Sequence, residues 1–205
     1  MNTPLTVGAM FAGYGGLELA LATVVDTRLA WYAESAPAPA AIMASHHPHV
    51  PNLGDVTKVD WSQVPPVDVI TGGTPCQDLS HAGKRGGMTT GTRSNLWVAM
   101  REAIAVLRPR LVVWENVRGA HSARADSELE PCPGCVGDTA GVHMRAYGRV
   151  VGDLASLRYD CQWTGVQASE VGAPHVRFRS FIVAHAQPVP LREHRDTTAV
   201  AGTTR

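Results

Sequence analysis

The chain has 205 residues, a formal net charge of zero and 44% hydrophobic residues, enough for one buried core and too balanced to announce a polyanionic partner through bulk charge. No apolar run approaches the ~18–20 residues of a membrane span, and the N-terminus lacks a secretory pattern. Four cysteines, at positions 76, 132, 135 and 161, are too few and too irregular for a disulfide framework, so a reducing, cytoplasmic setting is expected.

Thr6 to Phe11 reads as a short buried strand, Ala12-Gly13-Tyr14-Gly15-Gly16 breaks it, and Leu17 to Val25 carries a helical apolar face. Strand, glycine turn and helix make a nucleotide-binding opening, although Glu18 stands where the third glycine of the dinucleotide fingerprint would be. Leu29 to Ala33 is a second strand ending at Glu34, about 20 residues after the turn, where an acid can accept both hydroxyls of a ribose. Ala36 to Ser45 is expected to be helical despite Pro37 and Pro39, and His46, His47 and His49 are read as a solvated turn. Asn52-Leu53-Gly54-Asp55-Val56 is expected to place an acid, Asp55, after a third short strand.

The apolar run Val67 to Ile70 leads into Gly72-Gly73-Thr74-Pro75-Cys76-Gln77-Asp78-Leu79-Ser80. A cysteine at a glycine-rich strand-to-loop junction, with Lys84 and Arg85 nearby and Pro75 fixing the backbone before it, is set up as a thiolate nucleophile. From Asp78 to Arg93 the chain has no periodicity but carries glycines, Lys84, Arg85 and Arg93, as expected of a loop that closes over a phosphate backbone. A helix from about Ser94 to Leu107 buries Leu96, Ala99, Met100, Ala103, Ile104 and Leu107, and Pro109 ends it. The strand Leu111 to Trp114 then ends at Glu115-Asn116-Val117, where the acid faces the same crevice as Cys76 and Glu34. Residues 119 to 140 are irregular, and Cys132 and Cys135 make half a zinc site that His121, His143 or Cys161 could complete; an ordinary turn is the preferred reading, and no metal is assigned. A helix from Tyr147 to Leu157, a strand from Tyr159 to Gln167, a hairpin-like return and a strand from Ser180 to Ala184 follow. Arg177 and Arg179 share one face of an extended segment.

Pro75-Cys76-Gln77 with Ser80, preceded by Phe11-Ala12-Gly13-Tyr14-Gly15-Gly16 and followed by Glu115-Asn116-Val117 and Arg177-Phe178-Arg179, resembles the motif series of the DNA cytosine-5 methyltransferases, in family order over residues 5 to 185. The resemblance implies an α/β S-adenosylmethionine-dependent methyltransferase fold, Rossmann-like, with a mostly parallel sheet flanked by helices. It implies that Phe11, Gly13, Gly15, Gly16, Glu34, Asp55 and Pro75 bind S-adenosyl-L-methionine, with Asp55 on the adenine amino group. Cys76, Glu115, Arg177 and Arg179 become the catalytic set, and Gln77, Ser80, Lys84, Arg85 and Arg93 the DNA-facing set. Cys76 would add to carbon 6 of a flipped-out cytosine while Glu115 holds nitrogen 3.

Two residues depart from the family pattern: Ser35 replaces the apolar or aromatic residue that packs on the adenine, and His175 replaces the glutamine before the paired arginines. Family members also continue past those arginines into a target-recognition region and a returning C-terminal segment. The expected organisation is therefore a catalytic domain over 1–185, with 119–140 as an insertion and 186–205 as a disordered tail, whose partners are DNA and a second chain or second copy that supplies recognition. A noncatalytic or split-enzyme subunit of the same fold, binding DNA or a partner chain, is the alternative. A nicotinamide-dependent enzyme is a poorer third, since it needs neither Cys76 nor Glu115.

Overall fold

The computed structural model describes residues 3–74, 96–121, 124–125 and 144–188. Cys76 and its neighbours from Pro75 to Arg93, the Cys132–Cys135 pair with His143, and the segment from 189 onward lie outside the described residues.

Eight strands and four α-helices are described: β1 (Leu5–Met10), α1 (Gly16–Ala22), β2 (Thr27–Ala33), α2 (Pro37–His46), β3 (Val69–Gly72), α3 (Trp97–Leu107), β4 (Leu111–Val117), β5 (Arg124–Ala125), β6 (Met144–Arg145), α4 (Ala146–Ser156), β7 (Tyr159–Gln167) and β8 (Phe178–Ala186). Six of the strands form one sheet in the order β2-β1-β3-β4-β8-β7. β2, β1, β3 and β4 run parallel, while β8 is antiparallel to both β4 and β7. The strand order reverses direction at β1, with β2 on one side and β3 on the other, which opens a crevice at the carboxyl ends of the parallel strands.

Both faces of the parallel strands are covered. Met10, Trp31, Ile70, Val112, Trp114, Ile182 and Ala184 meet Trp97, Met100, Ala103 and Ile104 of α3 and Val150 and Leu154 of α4 in the larger core. Burying each such large side chain stabilises the fold by roughly 1.5–3 kcal/mol, so α3 and α4 dominate the packing energy. Trp114 anchors this layer, with edge contacts to Trp97 at 6.2 Å and Tyr147 at 5.8 Å between ring centres. On the opposite face Met43 of α2 packs on Ala9 and Tyr32, and Leu17 and Leu21 of α1 on Val7, Val69 and Val113. A buried carboxylate ties the two large helices together: Asp153 accepts from Trp97 Nε1 at 2.7 Å and lies 3.6 Å from Arg101 Nε and 3.5 Å from Arg149 Nε.

Several boundaries differ from the sequence-based expectation. The 52–56 stretch is no strand, but a single parallel bridge between Tyr32 and Asn52, because the Asn52 side chain captures the Gly54 N–H and Gly54 turns the chain at φ 73°. α1 stops at Ala22, three residues short of Val25, where Thr23, Val24 and Val25 donate back to Ala20 and Leu21. Pro37 and Pro39 fall in the first turn of α2, where their missing N–H groups have no helical partner to lose. α3 begins at Trp97 and ends where Arg108 turns left-handed at φ 51° ahead of Pro109. β4 runs through Glu115, Asn116 and Val117, because β8 pairs with it up to Val117–Arg179. The return between β7 and β8 is a 3-10 turn, Ala168–Val171, closed by a capping box between Gln167 and Glu170. β8 continues to Ala186, which donates to Arg110 O, and Gln187 donates to Arg158 O. β5 and β6 pair antiparallel, Arg124 with Arg145 and Ala125 with Met144.

Candidate active site

Two clefts open at the carboxyl ends of the parallel strands and share one wall, Phe11. The first, about 410 Å³, is lined by Phe11, Ala12, Gly16, Leu17, Ala20, Gly73, Glu115, Arg177 and Phe181. The second, about 500 Å³, is lined by Phe11, Ala33, Glu34, Ser35, Ala36, Gly54, Asp55, Val56, Thr57 and Leu96. Phe11 holds this dividing position in a left-handed conformation, φ 54°, which an aromatic residue seldom adopts.

Glu34 follows directly on β2 and its carboxylate is oriented by backbone alone. Oε2 accepts from Gly13 N at 2.9 Å and Oε1 from Ala36 N at 2.7 Å. Gly13, at φ 55°, is in the conformation that aims its N–H at the acid. Each carboxylate oxygen keeps a further lone pair, so the group can still accept two hydroxyls across the cleft. Asn52, which no sequence pattern had singled out, fixes the neighbouring chain: it donates through Nδ2 to Glu34 O at 3.0 Å, and its Oδ1 accepts from Glu34 N and Gly54 N. Asp55 lines the same cleft, but its Oδ1 accepts from Thr57 N and Thr57 Oγ1, and Lys58 lies 3.6 Å from Oδ2. The Thr57 bonds hold its carboxyl below the usual range. Gly16 lines the first cleft, and Gly15, at φ 79°, caps α1 without lining either one.

Glu115 sits at the floor of the first cleft. Along β4, side chains alternate between faces, so Trp114 and Asn116 point toward α3 while Glu115 points into the cleft. Its Oε1 lies 2.5 Å from Arg179 Nε, and a Cβ built on Gly73 would fall 3.0 Å from its Oε2, so the carboxylate presses against a bare backbone. Burial pushes the Glu115 carboxyl above its ordinary value, with Arg179 and Arg177 opposing. The paired arginines divide their contacts: Arg177 lines the cleft, and Arg179 bonds Glu115 and donates to Phe178 O. His175 is exposed and accepts from Arg177 N at 3.4 Å, outside the cleft lining.

The loop that begins after β3 is fastened from the other side of β4. Thr74 Oγ1 accepts from Trp114 Nε1 at 3.1 Å and Asn116 Nδ2 at 3.0 Å, and Thr74 O accepts from the same Asn116 Nδ2 at 3.1 Å. All three residues are buried. The positions of Pro75, Cys76, Gln77, Ser80, Lys84, Arg85 and Arg93 lie outside the described residues.

Other residues singled out from the sequence are engaged elsewhere. His121 stacks on Tyr147 with 4.2 Å between ring centres and bonds Ser180 Oγ through Nε2, and Cys161 is a half-buried free thiol. Among the described residues no three His, Cys, Asp or Glu side chains converge as metal ligands. Glu18, the residue in place of a third glycine, bonds Thr71 of β3 through Oε1, and burial raises its carboxyl. No helix among the described residues is long and apolar enough to cross a membrane.

Residues 5–200 match the family described as C-5 cytosine-specific DNA methylase. The chain is 42% identical over 108 residues to a protein of Escherichia phage P1 named DNA N-6-adenine-methyltransferase, covering 47% of this chain and 14% of that protein. It is 30% identical over 196 residues to the type II methyltransferase M.AluI of Cellulosimicrobium cellulans, covering 91% of this chain and 34% of that one. Its fold is similar to that of the S. pombe Dnmt2 methyltransferase, with a TM-score of 0.66 at 16% identity, over 90% of this chain and 52% of that structure. The chain thus spans about a seventh to a third of the two curated relatives. An α/β sheet with its crevice between Glu34 and Glu115, and a family match over residues 5–200, establish that this chain belongs to the C-5 cytosine-specific DNA methylases.

Proposed function

We propose that the chain transfers a methyl group from S-adenosylmethionine to carbon 5 of cytosine in DNA, through a transient bond between Cys76 and the base. The observation that carries this reading is the shared Phe11 wall: Glu115, a carboxyl group that burial pushes above its ordinary value, opens onto a cleft adjoining one that presents Glu34 and Asp55. A nucleoside donor fits the second cleft, where Glu34 retains acceptor capacity for ribose hydroxyls and Phe11, Val56 and Leu96 offer an apolar wall for a purine. When bound there, S-adenosylmethionine supplies an electrophilic methyl group.

The Cys76 thiolate adds to carbon 6 of an extrahelical cytosine while Glu115 hydrogen-bonds nitrogen 3, which moves electron density to carbon 5. Carbon 5 takes the methyl group, a base removes the proton from carbon 5, and elimination of the Cys76 thiolate restores the aromatic ring. Arg179 fixes the orientation of Glu115, and Arg177, open to the same cleft, faces the base. Burial favours the protonated acid that a bond to nitrogen 3 requires. Gln77, Ser80, Lys84, Arg85 and Arg93 are assigned to DNA contacts, the cations on phosphates, and Pro75 to the donor.

A subunit of the same fold that binds DNA or a partner chain without turnover is the second reading. Duplex DNA carrying 5-fluorocytosine separates the two, because carbon 5 then has no removable proton and the adduct persists. The full chain with donor should form a denaturation-resistant complex, and nucleoside mass spectrometry of ordinary DNA should give 5-methylcytosine. Normal turnover by Cys76→Ser, or methyl groups found only on adenine, would sink the assignment.

A further inference from the structure

The three consecutive residues Trp114, Glu115 and Asn116 act in opposite directions. Glu115 faces the cleft, while its two neighbours, on the other face of β4, both donate to Thr74, two residues before Cys76 in the chain. Among the described residues the last pair of β3 with β4 is Gly72–Trp114, and two positions further on the side chains of Trp114 and Asn116 hold the chain at Thr74.

We propose that Thr74 is a positioning residue for the methyl-transfer reaction, its hydroxyl fixing the root of the Cys76 loop to the strand that carries Glu115. This rests on the reading of Cys76 as nucleophile given above. Thr74 is 3% exposed, and its Oγ1 uses both lone pairs, one for the indole N–H and one for the amide. The hydroxyl is needed as well as the carbonyl: Asn116 reaches both Thr74 O and Oγ1, whereas the Trp114 indole reaches Oγ1. With Gly73 pressed against Glu115 Oε2 and Thr74 pinned behind Glu115, the chain enters the nucleophile loop along one fixed path beside the acid. A thiolate at carbon 6 and an acid at nitrogen 3, across one ring from each other, need that registration, because a misplacement of about 1 Å can cost roughly a hundredfold in rate.

The experiment compares Thr74→Val, which keeps the shape and removes the hydroxyl, with Thr74→Ser, which keeps the hydroxyl, and with Trp114→Phe, which removes the indole N–H. Three quantities are read on full-length protein at a temperature where circular dichroism shows each variant folded. They are single-turnover methylation rate, donor affinity by calorimetry, and alkylation of Cys76 by iodoacetamide followed by peptide mass spectrometry, with Cys161 as internal control. Thr74→Val is expected to slow methylation by roughly a hundredfold, the scale of a mispositioned reacting group. Cys76 alkylation should change by threefold or more, on the order of a modest pKa shift, with Cys161 alkylation and donor affinity within about twofold, well under one hydrogen bond. Thr74→Ser should recover most of both, and Trp114→Phe should fall between. The inference is overturned if Thr74→Val only lowers the melting temperature while rate and alkylation stay at wild-type values, or if Thr74→Ser is as impaired as Thr74→Val. Should wild-type protein form no 5-methylcytosine, the functional reading fails, and the alkylation arm still decides whether Thr74 governs Cys76.

Discussion

Arg179 and Glu115 lie on adjacent antiparallel strands, two positions out of direct register, and their side chains meet with 2.5 Å between Nε and Oε1 on the face of the sheet that forms the cleft. The antiparallel strand β8 therefore supplies the cation that orients an acid carried by the parallel part of the sheet. Because Phe181 is the residue paired with Glu115, Arg179 reaches it diagonally and leaves Arg177 free to line the open side.

Replacing Glu115 by Gln should cut methylation by about 10²–10⁴-fold, the range for a positioned acid-base group, and the same variant makes a stability test. Burial raises the folded carboxyl above its ordinary value of 4.5, so its contribution to stability is fully present below that value and is lost as pH rises through the folded one. Glu115→Gln should therefore gain melting temperature relative to wild type between acidic and neutral pH. A gap that instead moves against the variant as pH rises would mean that Arg179 outweighs burial.

Donor affinity should depend on Glu34 more than on Asp55. Glu34 orients the turn at Gly13 and the start of α2 as well as the ribose, whereas Asp55 is tied into its own Thr57 turn. Glu34→Ala should weaken S-adenosylmethionine binding by at least roughly tenfold, and Asp55→Ala by a similar or smaller factor, the scale of a hydrogen bond to a charged group. Asn52→Ala should weaken it by roughly threefold to tenfold through Glu34 and Gly54 alone. Calorimetry that found Asn52→Ala unchanged would remove it from the site.

Gly73→Ala tests the pressure on Glu115. A methyl group 3.0 Å from Oε2 must push the carboxylate, while the donor cleft does not include Gly73. Turnover should fall by about tenfold or more with donor affinity kept, since a displaced reacting group costs rate rather than binding. Equal losses in both would show that the substitution disturbs the strand ends generally.

Asp153→Ala should destabilise the protein without touching the site directly. It strands the buried Trp97 N–H and removes the carboxylate beside Arg101 and Arg149. Removing one partner of such a pair costs about 3 kcal/mol, a fall of roughly 6–12 °C in melting temperature for a domain of this size. Asp153→Asn, which retains an acceptor for Trp97, should lose less. Equal melting of all three proteins would refute the clamp.

The sequence by itself determined the parts whose physics is local. Continuous apolar runs marked β1, β2, β3 and β4, because a buried strand must be apolar along its length, alternation marked the edge strand β7, and glycines marked the turn after β1. Glu34 was legible as an acid just past a strand, and Glu115 as the acid of a short motif. Tertiary structure decided what depends on a neighbour distant in the chain. Glu115 lies inside a strand instead of beyond its end because β8, more than sixty residues later, extends the ladder to Val117. Asp55 follows a single bridge instead of a strand because Asn52 spends its side chain on Glu34 and Gly54. Thr74 carried no sequence signal at all, since a threonine before Pro75 becomes an anchor only where an indole and an amide from β4 arrive at the same hydroxyl. Propensity and periodicity act over a few residues, whereas hydrogen bonds between strand ends are set by which strands pair and in what register.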